Sequence, residues 1–221
     1  MAKEQERKFL IDTEQFKHFL SAGFPDGEEL VGSKYIRQAY LGDSGLWKAF
    51  VKIREQDPFL VVKSEALSKE FNFSFADKTE DALQLIMHPA TAFTDNGLVE
   101  ISLSHWALRI RLFESGAGEI CLKEKISGEV RGECEVDVDP DTAEYLFNSV
   151  EKKIDKMRYL VMKSGFKWEV DLFEGRNKGL GVAELETEIK NYPLLTSVLK
   201  EVTEESRYYN DNLAENPIRN W

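Results

Sequence analysis

Apolar and polar residues alternate along most of this chain. A period of two sends successive side chains to opposite faces of a β-strand. The pattern predicts strands over 3–11 (KEQERKFLI), 35–41, 50–54, 59–63, 71–75, 98–103, 106–113, 119–125, 131–138, 156–163, 167–173 and 181–189. A 3.6-residue period replaces it in three places. Over 13–22, Phe16, Phe19 and Leu20 share a face behind Asp12 or Thr13 as cap. Over 141–152, Ala143, Leu146, Phe147 and Val150 do so behind Asp139-Pro140, and 193–203 reads as a third helix. Gly42-Asp43-Ser44-Gly45 is a turn. The expectation is an antiparallel, strand-rich α+β fold.

One stretch repeats in outline. Val51-Lys52-Ile53-Arg54, then Lys63, then a helix after Asp77 resembles Leu108-Arg109-Ile110-Arg111, then Lys123, then a helix after Asp139. Where the second copy has Arg131, Glu133 and Glu135, the first has Lys69, Phe71 and Phe73. Either a hairpin-strand-helix unit is duplicated, or two unrelated hairpins share a short pattern. Phe71, Phe73 and Phe75 read as core residues.

The polar sides of the strands carry charge of one sign at a time. Arg109 and Arg111 share a face, as do Lys156 and Arg158. Glu133 with Glu135, Glu169 with Asp171, and Glu184 with Glu186 supply carboxylates only, while Glu4, Glu6 and Lys8 mix the signs. Any one of these strands would pass for an amphipathic strand with a wet face. As a set they suggest a barrel with apolar residues outward and charge lining its lumen. Clustered carboxylates bind a cation or protonate, and all-oxygen donors suit Mg²⁺ or Mn²⁺. Clustered Arg and Lys call for a polyanion. A metal-chelated polyphosphate satisfies both.

Composition narrows this further. With 40 acidic and 29 basic residues among 221, the net charge is −11, which excludes general nucleic-acid binding but not a small polyanion in a basic pocket. Two cysteines make neither a disulfide framework nor a metal motif, no apolar run is long enough for a bilayer, and no signal peptide is evident. A reduced, cytoplasmic protein without membrane or nucleic-acid partners is expected, with a homodimer left open.

In order along nearly the whole chain, the motifs resemble those of the CYTH proteins, or triphosphate tunnel metalloenzymes. Glu4-Gln5-Glu6-Arg7-Lys8 is similar to ExExK, Gln38-Ala39-Tyr40-Leu41 to the second strand, and Leu108-Arg109-Ile110-Arg111 to the doubly basic strand. Lys123, Arg131-Gly132-Glu133-Cys134-Glu135 (RxExE), Lys156-Met157-Arg158-Tyr159 (KxRY), Trp168-Glu169-Val170-Asp171 (WExD) and Glu184-Leu185-Glu186 follow. The tail, with Arg207-Tyr208-Tyr209-Asn210, resembles the ending of the inorganic triphosphatase branch.

The resemblance implies a closed eight-stranded antiparallel tunnel with helices outside, built as a single domain over 1–221. The stretch at about 43–105 departs from the family as an insertion or duplicated unit. It leaves Lys52, Arg54 and Lys63 competing with Arg109, Arg111 and Lys123, of which the second set connects directly to RxExE. By resemblance, Glu4, Glu184 and Glu186 hold Mg²⁺ or Mn²⁺. Glu6, Glu133, Glu135, Glu169 and Asp171 orient or deprotonate water. Lys8, Arg109, Arg111, Lys123, Arg131, Lys156 and Arg158 cradle a triphosphate-containing small molecule. The implied reaction is hydrolysis of inorganic tripolyphosphate. The alternatives are cyclisation of ATP, hydrolysis of thiamine triphosphate, and a sensor that binds polyphosphate or nucleotide without turnover.

Overall fold

The structure, a computed structural model, describes residues 6–54, 57–75, 79–89, 91–94, 97–125 and 133–221. Its elements are β1 (Glu6–Ile11), α1 (Thr13–Ala22), β2 (Glu28–Tyr40), β3 (Lys48–Arg54), β4 (Asp57–Ser64), β5 (Lys69–Ser74), α2 (Thr79–Met87), β6 (Thr91–Phe93) and β7 (Leu98–Ile101). There follow β8 (Trp106–Phe113), β9 (Gly118–Glu124), β10 (Glu133–Val138), α3 (Pro140–Asn148), β11 (Lys153–Lys163), β12 (Phe166–Phe173), β13 (Gly181–Glu186), β14 (Val198–Glu201) and α4 (Asn210–Glu215). The chain separates into two compact units. One holds the described residues up to Arg37 together with Lys153–Trp221, and the other those between Gln38 and Lys152.

In the first unit the strands are ordered β2-β11-β12-β13-β1-β14. Period-two alternation gives this sheet one apolar face, on which Phe9, Ile11, Val161, Trp168, Val170, Ala183 and Leu185 bury themselves against Phe16 of α1 and Leu195. Asp12 caps α1 by accepting from the backbone N–H groups of Glu14 and Gln15. Gly181 has no side chain because none fits: a Cβ there would lie 2.6 Å from both Ile11 Cγ1 and Thr13 Cγ2.

In the second unit β8, β9 and β10 pair in sequence, and a five-stranded sheet is ordered β5-β4-β3-β7-β6. Both contribute to one core, in which Leu60, Val62, Phe73 and Leu85 join Leu108, Ile110, Ile120, Leu122, Val136, Leu146 and Phe147. The outline repeat has a structural counterpart: β3-β4-β5 followed by α2, and β8-β9-β10 followed by α3, are both three-stranded antiparallel runs ending in a helix. Phe73 and Phe75 are buried and Phe71 packs on the core, as expected.

Several expectations need correction. Among the described residues no ladder joins the end strands β14, β10, β5 and β6 into a ring, so the strands form open sheets rather than a closed eight-stranded tunnel. The strands of the central segment pair with one another into a separate sheet and add no ladder that would close the other. Residues 193–203 are not a helix. Val198–Glu201 instead pairs with β1 as an edge strand, because β1 offers a free row of backbone groups that outweighs local helical preference. The short strand β6 and helix α4 had no clear sequence signal. Among the described residues, no helix is long and apolar enough to cross a membrane.

Candidate active site

The charges expected at a site gather on the polar faces of the two units, one cluster in each. In the first unit, antiparallel register sets Lys8 opposite Glu184 and Glu6 opposite Glu186. It also sets Glu169 opposite Glu184 and Arg158 opposite Asp171. These residues therefore share the face opposite Trp168, Val170 and Leu185.

Arg158 is the hub of this cluster. Its Nε and Nη2 donate to the two oxygens of Asp171 at 2.7 and 2.6 Å, its Nη2 also donates to Glu184 Oε2 at 2.9 Å, and its Nη1 donates to Glu169. Lys156 Nζ donates to Asp171 Oδ2 at 2.5 Å. Lys8 donates to both Glu6 and Glu184 and lies 5.3 Å from the centre of the Tyr209 ring.

Burial decides the behaviour of these groups. Asp171 is fully buried and Lys156 is 2% exposed. Burial favours the neutral form of Asp171, but Arg158 and Lys156 outweigh it and hold the carboxyl below its usual range. Glu184 is pressed well down in the same way, by Lys8 and then Arg158. Burial also works against Lys8, yet Glu184 and Glu6 raise its pKa. Lys156 goes the other way: burial, then the Arg158 charge, brings it down to about 8 despite Asp171 and Glu184.

In the second unit the shared face comes from β8, β9 and β10. Arg109 lies opposite Cys121, which lies opposite Glu135; Arg111 lies opposite Glu119, and Lys123 opposite Glu133. Arg109 Nη2 donates to Glu133 Oε1 at 2.5 Å, and Lys123 Nζ donates to Glu133 Oε2 at 3.2 Å. Arg111 Nη1 donates to Glu119 and Glu135, both at 2.9 Å, and its Nε donates to Gln38 Oε1 at 3.3 Å. The Cys121 thiol donates to Glu133 Oε1 at 3.0 Å. Burial would raise the Glu133 carboxyl, but Arg109 and Lys123 bring it down to about 2. Burial, with Glu133 nearby, pushes the Cys121 thiol up to about 12 despite Arg109. The Nε of Arg109 is buried without a hydrogen-bond partner, a donor unmet by the described residues.

Thirteen of the fifteen expected site residues thus fall on two charged sheet faces, eight in the first unit and five in the second. Glu4 and Arg131 lie outside the described residues. Glu119, Cys121 and Gln38 belong to the second cluster and were not foreseen. The alternation Glu119, Cys121, Lys123 was the available signal for two of them, since it puts all three on one face.

The structure also corrects the alignment of the repeat. With Lys63 set against Lys123, ladder register matches Glu70 to Glu133, Asn72 to Glu135, Val61 to Cys121, Phe50 to Arg109 and Lys52 to Arg111. Phe71 and Phe73 therefore correspond to the core-facing Cys134 and Val136, one residue away from the sequence reading. In the first copy, apolar Phe50 and Val61 occupy the positions of the buried cation and thiol, and Lys63 lies over the Phe50 ring at 4.6 Å. The side chain of Arg54 lies outside the described set.

Two sets of acidic residues offer donors for a divalent cation. Ligand atoms of Cys121, Glu133 and Glu135 lie within 4.8 Å of one another. This set fits a hard ion poorly, because one of its three donors is a thiol that burial holds protonated. Glu184 and Glu186 supply oxygen alone, with Glu6 across the ladder, and this donor chemistry fits Mg²⁺ or Mn²⁺.

No family model matches the chain. A search of curated proteins finds an inorganic triphosphatase of Acetivibrio thermocellus that is 34% identical over 119 residues, covering 52% of this chain and 76% of that protein. Among solved structures, the crystal structure of the inorganic triphosphatase NE1496 aligns with 97% of this chain and 95% of its own, at a TM-score of 0.51 and 24% identity. That second likeness shows a shared fold.

Proposed function

Since this chain belongs to the CYTH family of triphosphate tunnel metalloenzymes, we propose that it is a divalent-metal-dependent hydrolase that splits inorganic tripolyphosphate into pyrophosphate and phosphate. The observation that carries this reading is the pair of networks, each built on a buried cation, in which Arg and Lys stand among carboxylates, together with the curated relative. An aliphatic interior would stabilise a fold more cheaply than buried ion pairs do, so such networks point to use rather than support.

The chemistry divides among this chain's own residues. Lys8, Lys156 and Arg158 are the donors for phosphate oxygens in the first unit's cluster, and Arg109, Arg111 and Lys123 offer the same chemistry in the second unit's own cluster, with Arg131 added by resemblance. The unmet Nε of Arg109 supports this assignment. Glu184 and Glu186, with Glu4 by resemblance, would hold Mg²⁺ or Mn²⁺. The ion supplies charge neutralisation on the phosphate oxygens.

Among the carboxylates assigned to water, Asp171 is clamped by two cations and stays ionised, which suits it to fixing Lys156 and Arg158. Glu6, Glu135 and Glu169 remain the candidates for taking the proton of the attacking water, while Glu133, held at about 2 by Arg109 and Lys123, is suited to orienting water as a hydrogen-bond acceptor. We treat 1–221 as one domain with 43–105 as an insertion or duplicated unit, acting in the cytoplasm on a small triphosphate.

Phosphate release from tripolyphosphate, ATP and thiamine triphosphate, with Mg²⁺, Mn²⁺ or EDTA, tests the reading, with Glu184→Gln as control. Rapid release from tripolyphosphate that requires metal and is lost in Glu184→Gln is expected. Cyclic AMP from ATP would make the protein a cyclase instead. Tight tripolyphosphate binding without turnover would make it a sensor.

A further inference from the structure

Cys121 is the one uncharged group that donates to Glu133 among the described residues. It lies on β9 directly between Arg109 on β8 and Glu135 on β10, and its thiol shares Glu133 Oε1 with Arg109. At neutral pH it is no nucleophile, because burial keeps it protonated. It is no disulfide partner either, since Cys134 points to the core face of the neighbouring strand. What remains is its hydrogen bond.

The physical consequence appears when an anion competes. Glu133 is held by Arg109 and Lys123, with Arg111 3.8 Å away. A polyphosphate carries more charge than one carboxylate and attracts these same cations, so its arrival weakens every ionic restraint on Glu133 at once. A thiol is a weak, uncharged donor, and a dianionic phosphate group gains far less from it than from a guanidinium. The restraint from Cys121 therefore persists when the others are drawn away.

We infer that Cys121 is a positioning residue whose thiol keeps Glu133 oriented while substrate engages Arg109, Arg111 and Lys123, an inference that rests on the proposed hydrolysis. The first copy of the repeat is consistent with this: Val61 takes the thiol's position where Phe50 replaces the competing arginine.

The experiment compares the full-length wild type with Cys121→Ala and Cys121→Ser. With inorganic tripolyphosphate and Mg²⁺, Cys121→Ala is expected to lose roughly tenfold in kcat with KM changed less than threefold, as for loss of one hydrogen bond worth about 1.4 kcal/mol. Cys121→Ser, which keeps a donor, is expected to recover most of that loss, and thermal midpoints separate either effect from unfolding. A kcat for Cys121→Ala equal to wild type, or a Cys121→Ser protein as slow as Cys121→Ala, overturns the inference. The second readout is independent of turnover: the ¹³C resonance of the Glu133 carboxyl at neutral pH shifts in Cys121→Ala and returns in Cys121→Ser. A wild type that turns over no triphosphate defeats the proposed hydrolysis alone. An unmoved Glu133 resonance defeats the role of Cys121.

Discussion

Glu6 and Glu186 stand directly opposite each other in the β1–β13 ladder, on the face that also carries Lys8 and Glu184. Two like charges in register repel across a sheet, and a shared divalent cation relieves them. Glu186→Gln is therefore expected to raise the Mg²⁺ concentration needed for half-maximal tripolyphosphate hydrolysis by roughly tenfold or more. A metal titration with unchanged midpoint would remove Glu186 from the metal set.

Stability on the alkaline side should carry the signature of Lys156. Its folded pKa is down at about 8, below the roughly 10.4 of an unfolded lysine. Between those values the unfolded chain binds the extra proton, so this group makes stability rise as pH goes from about 8 to about 10. Urea midpoints at pH 7, 8, 9 and 10 should show wild type gaining on Lys156→Met across that window. A constant gap would mean that Lys156 keeps its proton throughout.

Acid works in the opposite direction. Glu133 is held at about 2 by Arg109 and Lys123 against burial, and Asp171 and Glu184 are lowered as well. Stability from such carboxylates is complete above the unfolded value near 4.3 and drains away as pH falls towards the folded one. Wild type should lose stability steeply between about pH 4.5 and 2. Glu133→Gln should flatten that slope without abolishing it, since Asp171 and Glu184 still titrate. Denaturation midpoints at half-unit pH steps give the comparison.

The sequence and structure agree where the signal is local. Asp12 and the Phe16 face predict α1, and period two fixes which residues of β8, β9, β12 and β13 share a face. Period two groups the charged residues strand by strand, whereas their division between two faces rather than one lumen follows from the strand pairing. What failed depends on distant partners. The 193–203 segment reads as a helix until β1 offers it an edge, and the off-by-one match of Phe71 and Phe73 is visible only once β5 is paired with β4. Cys121 was overlooked for another reason: a thiol within an alternating strand counts as apolar, and only its bond to Glu133 shows that it faces the charges.

Close approach of backbone to helix predicts a purely structural outcome. A Cβ on Gly118 would lie 2.3 Å from the Cβ of Ala143 on α3 and 3.3 Å from the Val138 carbonyl oxygen. Neither neighbour is a flexible side-chain end, so Gly118→Ala must push β9 and α3 apart. The expected cost is about 1–3 kcal/mol, by analogy with overpacked cores. Chemical denaturation measures it, and a loss below about 0.5 kcal/mol would show that the helix shifts freely.

The repeat makes its own functional test, because the two copies share a register but not a chemistry. Lys63 and Glu70 oppose each other as Lys123 and Glu133 do, yet Phe50 and Val61 leave the first copy without the arginine and thiol that complete the second. Lys63 has Lys48 across the ladder but no arginine beside it, and two lysines without a guanidinium grip phosphate less well than the second copy's cluster of two arginines and a lysine. Lys63→Met and Glu70→Gln are therefore expected to stay within about twofold of wild type in kcat/KM for tripolyphosphate. Lys123→Met should lose roughly tenfold to a hundredfold, and Glu133→Gln should fall mainly in kcat. Should Lys63→Met prove as damaging as Lys123→Met, the competition between the basic strands would resolve in favour of both copies, and the assignment of phosphate binding to the second alone would fall.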